Sequence, residues 1–211
     1  MPGVKDSLVV FLHGVGARGD DLAPLAEPLS AFLPSTAFVA PDAPARFDGG
    51  GPARQWFSVA GISAENRPQR VEQAREGFDR VVKAAIAERG FARRLDRVAL
   101  FGFSQGAIMA LDAVAGGRWP VAAVVAAAGR LPGAADPPLA AAATPVLLLH
   151  GEADTVVPAE ESRRAAARLK AARFAVDTRF FPQLGHALSA EGVDAAGAFL
   201  ARALKPAQAK G

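Results

Sequence analysis

Two hydrophobic patterns alternate along the chain. Short apolar runs are typical of buried strands. These runs are Ser7–Leu12, Ala37–Ala40, Arg97–Phe101, Val121–Ala127, Pro145–His150 and Ala175–Phe181. Between them, apolar residues recur at the spacing of an amphipathic helix. These segments are Asp20–Leu33, Arg67–Gly90, Ala107–Val114, Pro158–Ala172 and Ser189–Leu204. The alternation predicts an α/β fold, with a mainly parallel sheet of about six or seven strands and helices on both faces.

Some segments depart from these patterns. Two prolines are expected to break Asp20–Leu33 into turns, because proline lacks the N–H that a helix interior needs. The longest irregular stretch is Pro41–Asn66, and a connection of that length in a compact domain is usually functional or mobile. Residues 129–144 form a second predicted loop, and residues 205–211 are expected to be frayed.

The composition is that of a well-buried globular protein. The chain has 211 residues, 51% of them hydrophobic, and no cysteine. Its size predicts one domain spanning residues 1–211. The lack of cysteine excludes a disulfide scaffold, a cysteine nucleophile and a thiolate metal site. No segment has the layout of a signal peptide or the length of a membrane span, so a cytoplasmic location is expected.

The distribution of charge argues against a nucleic-acid partner. The formal net charge is +3, from 24 Lys and Arg against 21 Asp and Glu. Many arginines stand among glutamates on the predicted helix Arg67–Gly90, at spacings that pair opposite charges on a solvated face. A nucleic-acid groove requires clustered basic residues with interleaved aromatic residues, and no segment has that pattern.

The stretch Gly102-Phe103-Ser104-Gln105-Gly106 joins a predicted strand to a predicted helix. A Gly-x-Ser-x-Gly sequence in that context is typical of a nucleophile elbow, a sharp turn that lifts a serine hydroxyl above the sheet. Glycine is expected at both flanking positions for a steric reason, since a Cβ at either position would collide with the neighbouring helix or strand. The alternative interpretation is a glycine-rich turn with an inert serine.

A serine hydroxyl needs a base to act as a nucleophile, and the base needs an orienting carboxylate. In an elbow fold the acid and then the histidine follow the serine along the chain. After Ser104 the sequence contains two histidines, His150 and His186. Asp154 follows one predicted strand and His186 follows the next, at the sheet edge where ligand-facing residues gather. Ser104, Asp154 and His186 are therefore the predicted catalytic residues.

Each partner also has a purely structural interpretation. Asp154 by itself could cap the next helix or order its turn, and a lone histidine in a loop is usually surface decoration. His150 precedes Asp154, which is the wrong order for the base, and is interpreted as a hydrogen-bonded structural histidine. The structural interpretations require Ser104, Asp154 and His186 to follow consecutive strands by coincidence.

An oxyanion hole needs two N–H donors directed at the position where negative charge develops. The residue after the nucleophile, Gln105, is expected to supply one of them. The loop His13-Gly14-Val15-Gly16 after the first strand is expected to supply the other, from Val15. His13 precedes the elbow and is expected to hold this loop in shape.

Several motifs together resemble a known family. They are His-Gly-x-Gly at 13–16, Trp56-Phe57, Gly-Phe-Ser-Gln-Gly at 102–106, His-Gly-x-x-Asp-x-x-Val-Pro at 150–158 and Gly-His at 185–186. From about Leu8 to Leu204, the sequence resembles the phospholipase/carboxylesterase family of α/β-hydrolases, which includes acyl-protein thioesterases and small bacterial carboxylesterases.

This resemblance implies an α/β-hydrolase fold without a separate cap domain, the same catalytic and oxyanion residues, and no metal or organic cofactor. Two positions depart from the thioesterase branch, which usually has Asp soon after the first motif and again after Trp-Phe. This chain has Ala17-Arg18 and Ser58 there. The departures favour a carboxylesterase of the bacterial type.

The long loop has two interpretations. Trp56 and Phe57 either fill a small core under the loop or form one wall of an acyl pocket. In the second case they are substrate-binding residues, for which Val157 and Leu188 are the other candidates. An apolar loop could equally mediate a dimer, so both a monomer and a homodimer are expected possibilities.

The expected function is hydrolysis of small-molecule carboxylic esters of short or medium chain length, through an acyl-enzyme intermediate. The alternatives within the enzyme class are a lysophospholipase and an acyl-protein thioesterase. The alternative from another class is a binding module that keeps the fold without catalysis. Activity is expected to rise with pH between about 6 and 7, because an imidazole must be neutral to act as a base.

Overall fold

A six-stranded sheet lies at the centre of the molecule in the computed structural model, which describes residues 5–133 and 143–205. The strands of the described chain are β1 (Ser7–Leu12), β2 (Thr36–Val39), β3 (Ala45–Arg46), β4 (Arg54–Gln55), β5 (Val98–Phe103), β6 (Ala123–Ala127), β7 (Val146–Gly151) and β8 (Val176–Phe181). The main sheet has the order β2-β1-β5-β6-β7-β8, and every neighbouring pair in it is parallel. The predicted parallel sheet is confirmed, with six strands.

Helices cover both faces of this sheet, as the sequence predicts. They are α1 (Ala26–Ser30), α2 (Arg67–Glu88), α3 (Gln105–Ala115), α4 (Glu160–Ala171) and α5 (Ala190–Ala203). Helices α2, α3 and α4 enclose one hydrophobic core against the sheet, while α1 and α5 enclose a second core on the other face. Within the described ranges, none of the helices combines the length and the apolar character needed to cross a bilayer.

Strand β1 shows why the sequence forms a sheet that is buried on both faces. Leu8, Val10 and Leu12 point into the first core, and Val9 and Phe11 point into the second. All five side chains are buried. A central parallel strand has no solvated face, so its sequence is continuously apolar instead of alternating.

The segment between β1 and β2 is broken where the prolines predict. Two short 3₁₀ turns, Gly19–Asp21 and Ala23–Leu25, precede α1, which is only five residues long. Only Leu29 of α1 is buried. A continuous helix over Asp20–Leu33 does not form.

The stretch 41–66, which the sequence predicts to be irregular, is partly ordered. Strands β3 and β4 form a short antiparallel hairpin within it. Arg54 of β4 also pairs with Ala17, which follows β1. The hairpin therefore attaches the long loop to the loop that contains Val15. The predicted loop at residues 129–144 and the predicted frayed end lie largely outside the described residues.

The tight turn between β5 and α3 depends on two glycines. A Cβ on Gly106 would lie 2.0 Å from the carbonyl oxygen of Leu12, and a Cβ on Gly102 would lie 2.5 Å from the backbone nitrogen of Ala107. Backbone atoms cannot yield as the end of a side chain can. Both positions therefore exclude every residue other than glycine, which confirms the steric reason expected from the sequence.

We expect Gly106→Ala to destabilise the protein by about 3 kcal/mol or more, because α3 must move away from β1 to admit the methyl group. Urea unfolding followed by circular dichroism measures this change. Gly61→Ala is the matched control. Gly61 has a φ of +62° but no atom within 4 Å of an added Cβ, so its cost is limited to about 1 kcal/mol of backbone strain. Equal midpoints for the two variants would contradict the steric explanation.

Candidate active site

Ser104 occupies the turn between the last residue of β5 and the first residue of α3. Its backbone has φ 53° and ψ −114°, a conformation that costs free energy for any residue with a side chain. The turn is fixed at both of its ends. The N–H of Ser104 donates to the carbonyl of Ala127 at 2.9 Å, and its own carbonyl accepts from the N–H of Ile108 at 3.1 Å. The serine thus stands at the carboxyl edge of the sheet and at the N-terminus of a helix.

The structure brings Ser104, His186 and Asp154 together in one chain of hydrogen bonds. Nε2 of His186 lies 2.9 Å from Oγ of Ser104, and Nδ1 of His186 lies 2.7 Å from Oδ2 of Asp154. A carboxylate only accepts, so Nδ1 carries the proton and the lone pair of Nε2 faces the serine hydroxyl. In this arrangement the imidazole can take the proton of the hydroxyl.

Asp154 is 6% exposed and lies in the turn that follows β7. Its Oδ1 accepts the N–H groups of Val156 and Val157, each at 2.8 Å. Burial by itself raises the pKa of Asp154, but the hydrogen bonds from His186, Val157 and Val156 outweigh it and leave the pKa below its usual value. The carboxylate is therefore ionised at neutral pH, and it can stabilise a positive charge on His186.

The loop between β8 and α5 holds His186 in position. The carbonyl of Leu184 accepts the N–H of Ala153 at 3.0 Å, which joins this loop to the turn that contains Asp154. The ring of Phe103 packs beside the imidazole, with the ring centroids 5.1 Å apart. The histidine and its carboxylate therefore belong to two loops that are fixed to each other through the backbone.

Two backbone N–H groups are candidate donors to an anion: that of Val15, in the loop after β1, and that of Gln105, the first residue of α3. The backbone N–H groups of Val15 and Gln105 have no hydrogen-bond acceptor among the described residues. His13 shapes this loop, as expected. Its Nε2 accepts the N–H of Ala43 at 2.9 Å, and its Nδ1 donates to the carbonyl of Gly14 at 2.7 Å. Burial lowers the pKa of His13, which agrees with a neutral ring that accepts at one nitrogen and donates at the other.

Trp56 and Phe57 are both buried in the first hydrophobic core, with Trp56 only 2% exposed. The indole ring packs against Phe78 with centroids 5.4 Å apart, and its N–H donates to the carbonyl of His13 at 2.9 Å. These contacts agree with the first interpretation of the long loop, a core beneath it. A role of either side chain in binding substrate stays a prediction.

Gln105 has a structural role that sequence reasoning missed. Its side-chain oxygen accepts the N–H of Trp56 at 2.7 Å, and its side-chain nitrogen donates to the carbonyl of Phe57 at 2.7 Å. One side chain thereby satisfies both polar groups of a buried backbone segment, as a neighbouring strand would do. No sequence pattern indicates this pairing, because the partners are almost fifty positions away and the elbow motif assigns a role only to the backbone of Gln105.

Asp48 organises the outer part of the same loop. Its Oδ2 accepts from the hydroxyl of Ser58 and the N–H of Val59, each at 2.8 Å, and Oδ1 accepts from the side chain of Gln55 at 2.7 Å. These bonds, the one from Gln55 foremost, lower the pKa of Asp48 to about 2. Ser58, where the thioesterase branch usually has Asp, is thus engaged with a carboxylate from the hairpin.

The two remaining candidate residues differ in burial. Val157 is buried beside Asp154, whereas Leu188 is partly buried against the second core. Neither contact tests a role in binding substrate, so both roles stay predictions. Among residues 5–133 and 143–205, no group of three His, Asp or Glu side chains is arranged to hold a metal ion.

The chain is similar in sequence and in structure to known esterases and acyl-protein thioesterases. The model of the phospholipase/carboxylesterase family matches residues 3–204. Esterase YpfH of Escherichia coli strain K12 is 32% identical over 181 residues, covering 86% of this chain and 76% of the esterase. Acyl-protein thioesterase 1 of Gibberella zeae is 26% identical over 220 residues, covering 94% and 91% of the two chains. The crystal structure of esterase PE8 superposes with a TM-score of 0.83 at 32% identity, over 97% of each chain.

We expect Gln105→Leu to destabilise the protein by about 3 kcal/mol, because the N–H of Trp56 and the carbonyl of Phe57 would stay buried without partners. Urea unfolding measures the difference. Gln73→Leu is the control, since Gln73 is exposed on α2, and it should change stability by less than about 0.5 kcal/mol. A Gln105→Leu protein as stable as the control would show that the two side-chain bonds contribute little.

Proposed function

The chain belongs to the phospholipase/carboxylesterase family of α/β-hydrolases, and from that premise we propose that it is a single-domain serine carboxylesterase. In this proposal Ser104 is the nucleophile, His186 the general base and Asp154 the residue that orients the base. The observation that carries the proposal is the chain of hydrogen bonds from Ser104 through His186 to Asp154, at 2.9 and 2.7 Å.

The reaction starts with attack on the ester carbonyl. The Ser104 oxygen forms a bond to the carbonyl carbon while its proton passes to Nε2 of His186. The imidazole becomes a cation whose Nδ1–H is already bonded to the Asp154 carboxylate, so the new charge arises next to an ionised partner. The pairing stabilises the imidazolium more than the neutral ring. It therefore lowers the energy of the transition state more than that of the bound substrate, and this difference is what lowers the barrier.

The tetrahedral intermediate carries a negative oxygen. The backbone N–H groups of Val15 and Gln105 are the proposed donors to it, since neither has an acceptor among the described residues. Gln105 is also the first residue of α3, so the positive end of the helix dipole acts at the same position. Removal of one such donor typically slows an enzyme by about a hundredfold or more.

Collapse of the intermediate breaks the bond to the leaving alcohol. His186 returns its proton to the alcohol oxygen, and the acyl group remains on Ser104 as an ester. Water then attacks the acyl carbon and loses a proton to His186; the bond to Ser104 breaks, the serine oxygen takes that proton back, and the carboxylic acid is released. Every proton moves through His186, so the activity requires the neutral imidazole at the start of each half-reaction.

The size of the substrate is inferred from the exposed apolar surface. Among the described residues, Phe32 and Val156 are the large hydrophobic side chains that are exposed. Phe32 precedes β2 and packs towards Gly197 of α5, whereas Val156 is 63% exposed and lies beside Asp154. A single exposed apolar side chain next to the site, in the part of the chain that the structure describes, suits a short acyl chain better than a lipid tail. A small-molecule ester of short or medium chain length is therefore the proposed substrate.

Lysophospholipids and acylated proteins are the alternative substrates within this family. The similarity to acyl-protein thioesterase 1 over most of both chains favours the second of them. Against it stand the two departures at Ala17-Arg18 and Ser58, and the higher identity to esterase YpfH. A module that binds without catalysis is the alternative from another class, and it would not need the aligned proton path from Ser104 to Asp154.

We expect Ser104→Ala to lower the turnover of p-nitrophenyl butyrate at least about a thousandfold, because no other group can form the acyl-enzyme. Steady-state hydrolysis measures the loss, and a fluorophosphonate probe should label the unchanged protein but not the variant. Ser30→Ala is the control, since Ser30 is exposed on α1, and it should keep full activity and labelling. Turnover that survives Ser104→Ala would end the proposal.

We also expect kcat/KM to be highest for a short acyl group such as butyrate and roughly tenfold lower for palmitate, because Val156 is the one large apolar side chain exposed beside the site among the described residues. The measurement is a series of p-nitrophenyl esters, with a palmitoyl thioester and lysophosphatidylcholine as reference substrates. A rate that still increases at palmitate, or faster hydrolysis of a reference substrate, would favour the corresponding lipid or thioester activity.

A further inference from the structure

His150 lies at the end of β7, four residues before Asp154, and takes no part in the mechanism proposed above. It is only 2% exposed. Its Nε2 lies 2.8 Å from the carbonyl oxygen of Val157 and 3.2 Å from Oδ2 of Asp154, and its Nδ1 lies 2.6 Å from Oγ of Ser162 on α4. The imidazole therefore contacts the same carboxylate oxygen, Oδ2, to which His186 is bonded.

These contacts fix the tautomer of His150. A carbonyl oxygen only accepts, so Nε2 must carry a proton to bond Val157. Burial lowers the pKa of His150, so the ring is neutral and Nδ1 has a free lone pair. The hydroxyl of Ser162 accordingly donates to Nδ1 at 2.6 Å, the nearer of its two acceptors, since the carbonyl oxygen of Gly129 lies 3.4 Å away. A hydrogen bond accepted at one nitrogen polarises the ring and strengthens the N–H at the other.

The Nε2–H of His150 acts on Asp154 in two ways. It holds the carbonyl of Val157, the residue whose own N–H donates to Oδ1 of Asp154 at 2.8 Å, and so it fixes the turn that orients the carboxylate. It also directs a positive dipole near Oδ2, the oxygen to which His186 is bonded. This second effect withdraws electron density from Oδ2 and weakens its attraction for a cationic His186.

We infer that His150 is a positioning residue for the proposed reaction: it orients Asp154 and weakens the attraction of Oδ2 for a cationic His186. The inference rests on the proposed function, because it gives Asp154 and His186 the roles described above. His150 touches neither the ester nor the reacting atoms.

One other charged group from the surrounding elements acts on Asp154. Arg130, in the segment after β6, interacts with it electrostatically and is itself paired with Glu161 of α4 at 3.6 Å. Asp154 is otherwise faced by His186 from the loop after β8 and by His150 from β7. Arg130 and Glu161 are the same in every variant compared below, so their contribution cancels.

The test is the pH dependence of kcat/KM for p-nitrophenyl butyrate in the full-length protein, between about pH 5 and about pH 9. His150→Phe keeps a planar ring but removes the N–H. We expect the midpoint of the acid limb to move roughly half a pH unit higher, and the plateau of kcat to fall about tenfold with little change in KM. His150→Gln places a carboxamide N–H where Nε2 stood, and it should restore the original midpoint.

A second pair of variants covers the case in which His150→Phe does not fold. Ser162→Ala removes the hydroxyl bonded to Nδ1, weakens the N–H at Nε2, and should move the midpoint in the same direction by a smaller amount. Thr144→Val is its control. It removes a buried hydroxyl that donates to the carbonyl of Val121 at 2.9 Å, just before β7 begins and far from the site. It should leave the midpoint unchanged.

The outcomes separate the two proposals. A variant that is merely less stable lowers the amplitude of the profile without moving its midpoint. A midpoint that stays in place or falls in His150→Phe, or in Ser162→Ala if the former does not fold, overturns the role of His150. The proposed function stands in that case, provided that the unchanged protein is active and Ser104→Ala is inactive. An unchanged protein without turnover would overturn the proposed function instead.

Discussion

A single hydrogen bond, 2.7 Å long, joins His186 to Asp154 across two loops of the molecule. It determines the tautomer of the imidazole, and thereby which nitrogen faces the Ser104 hydroxyl. The two residues are 32 positions apart in the chain, so local structure cannot bring them together. Parallel strands can, because β5, β7 and β8 all end at the same edge of the sheet and each ends just before one of the three residues.

This arrangement has a cost that the surrounding structure must offset. Asp154 is buried, and an ionised carboxylate out of water is destabilised unless it is well hydrogen-bonded. The chain supplies the N–H groups of Val156 and Val157 and the ring of His186. Ser104 adds backbone strain, which the backbone bonds on both sides of the turn hold in place. At the site, contacts with the rest of the fold therefore override two local preferences, that of the Asp154 carboxylate for water and that of the Ser104 backbone for an unstrained conformation.

Much of this architecture could be predicted from the sequence, because apolar runs and their spacing report burial directly. The sequence defines the strand ends less well: the strand predicted at Arg97–Phe101 spans Val98–Phe103 in the structure. The hairpin of β3 and β4 was not predicted, since strands of two residues leave no periodic pattern. The meeting of Ser104, Asp154 and His186 could be anticipated from chain order alone. Their catalytic roles, and those of Val15, Trp56, Phe57, Val157 and Leu188, remain predictions.

The sequence does not reveal the hydrogen bonds that tie the long loop to Gln105 and His13. These bonds bear on whether the loop can open as a lid. Its centre is bound from two directions, by the side chain of Gln105 and by the indole N–H of Trp56. Opening there would expose two large buried rings and break buried hydrogen bonds, each of which costs about 1–3 kcal/mol when left unsatisfied. The Trp56-Phe57 centre of the loop is thus poorly suited to move as a lid. The Trp56-Phe57 segment is hydrogen-bonded to Gln105, the first residue of α3, and in this respect it belongs to the framework of the site.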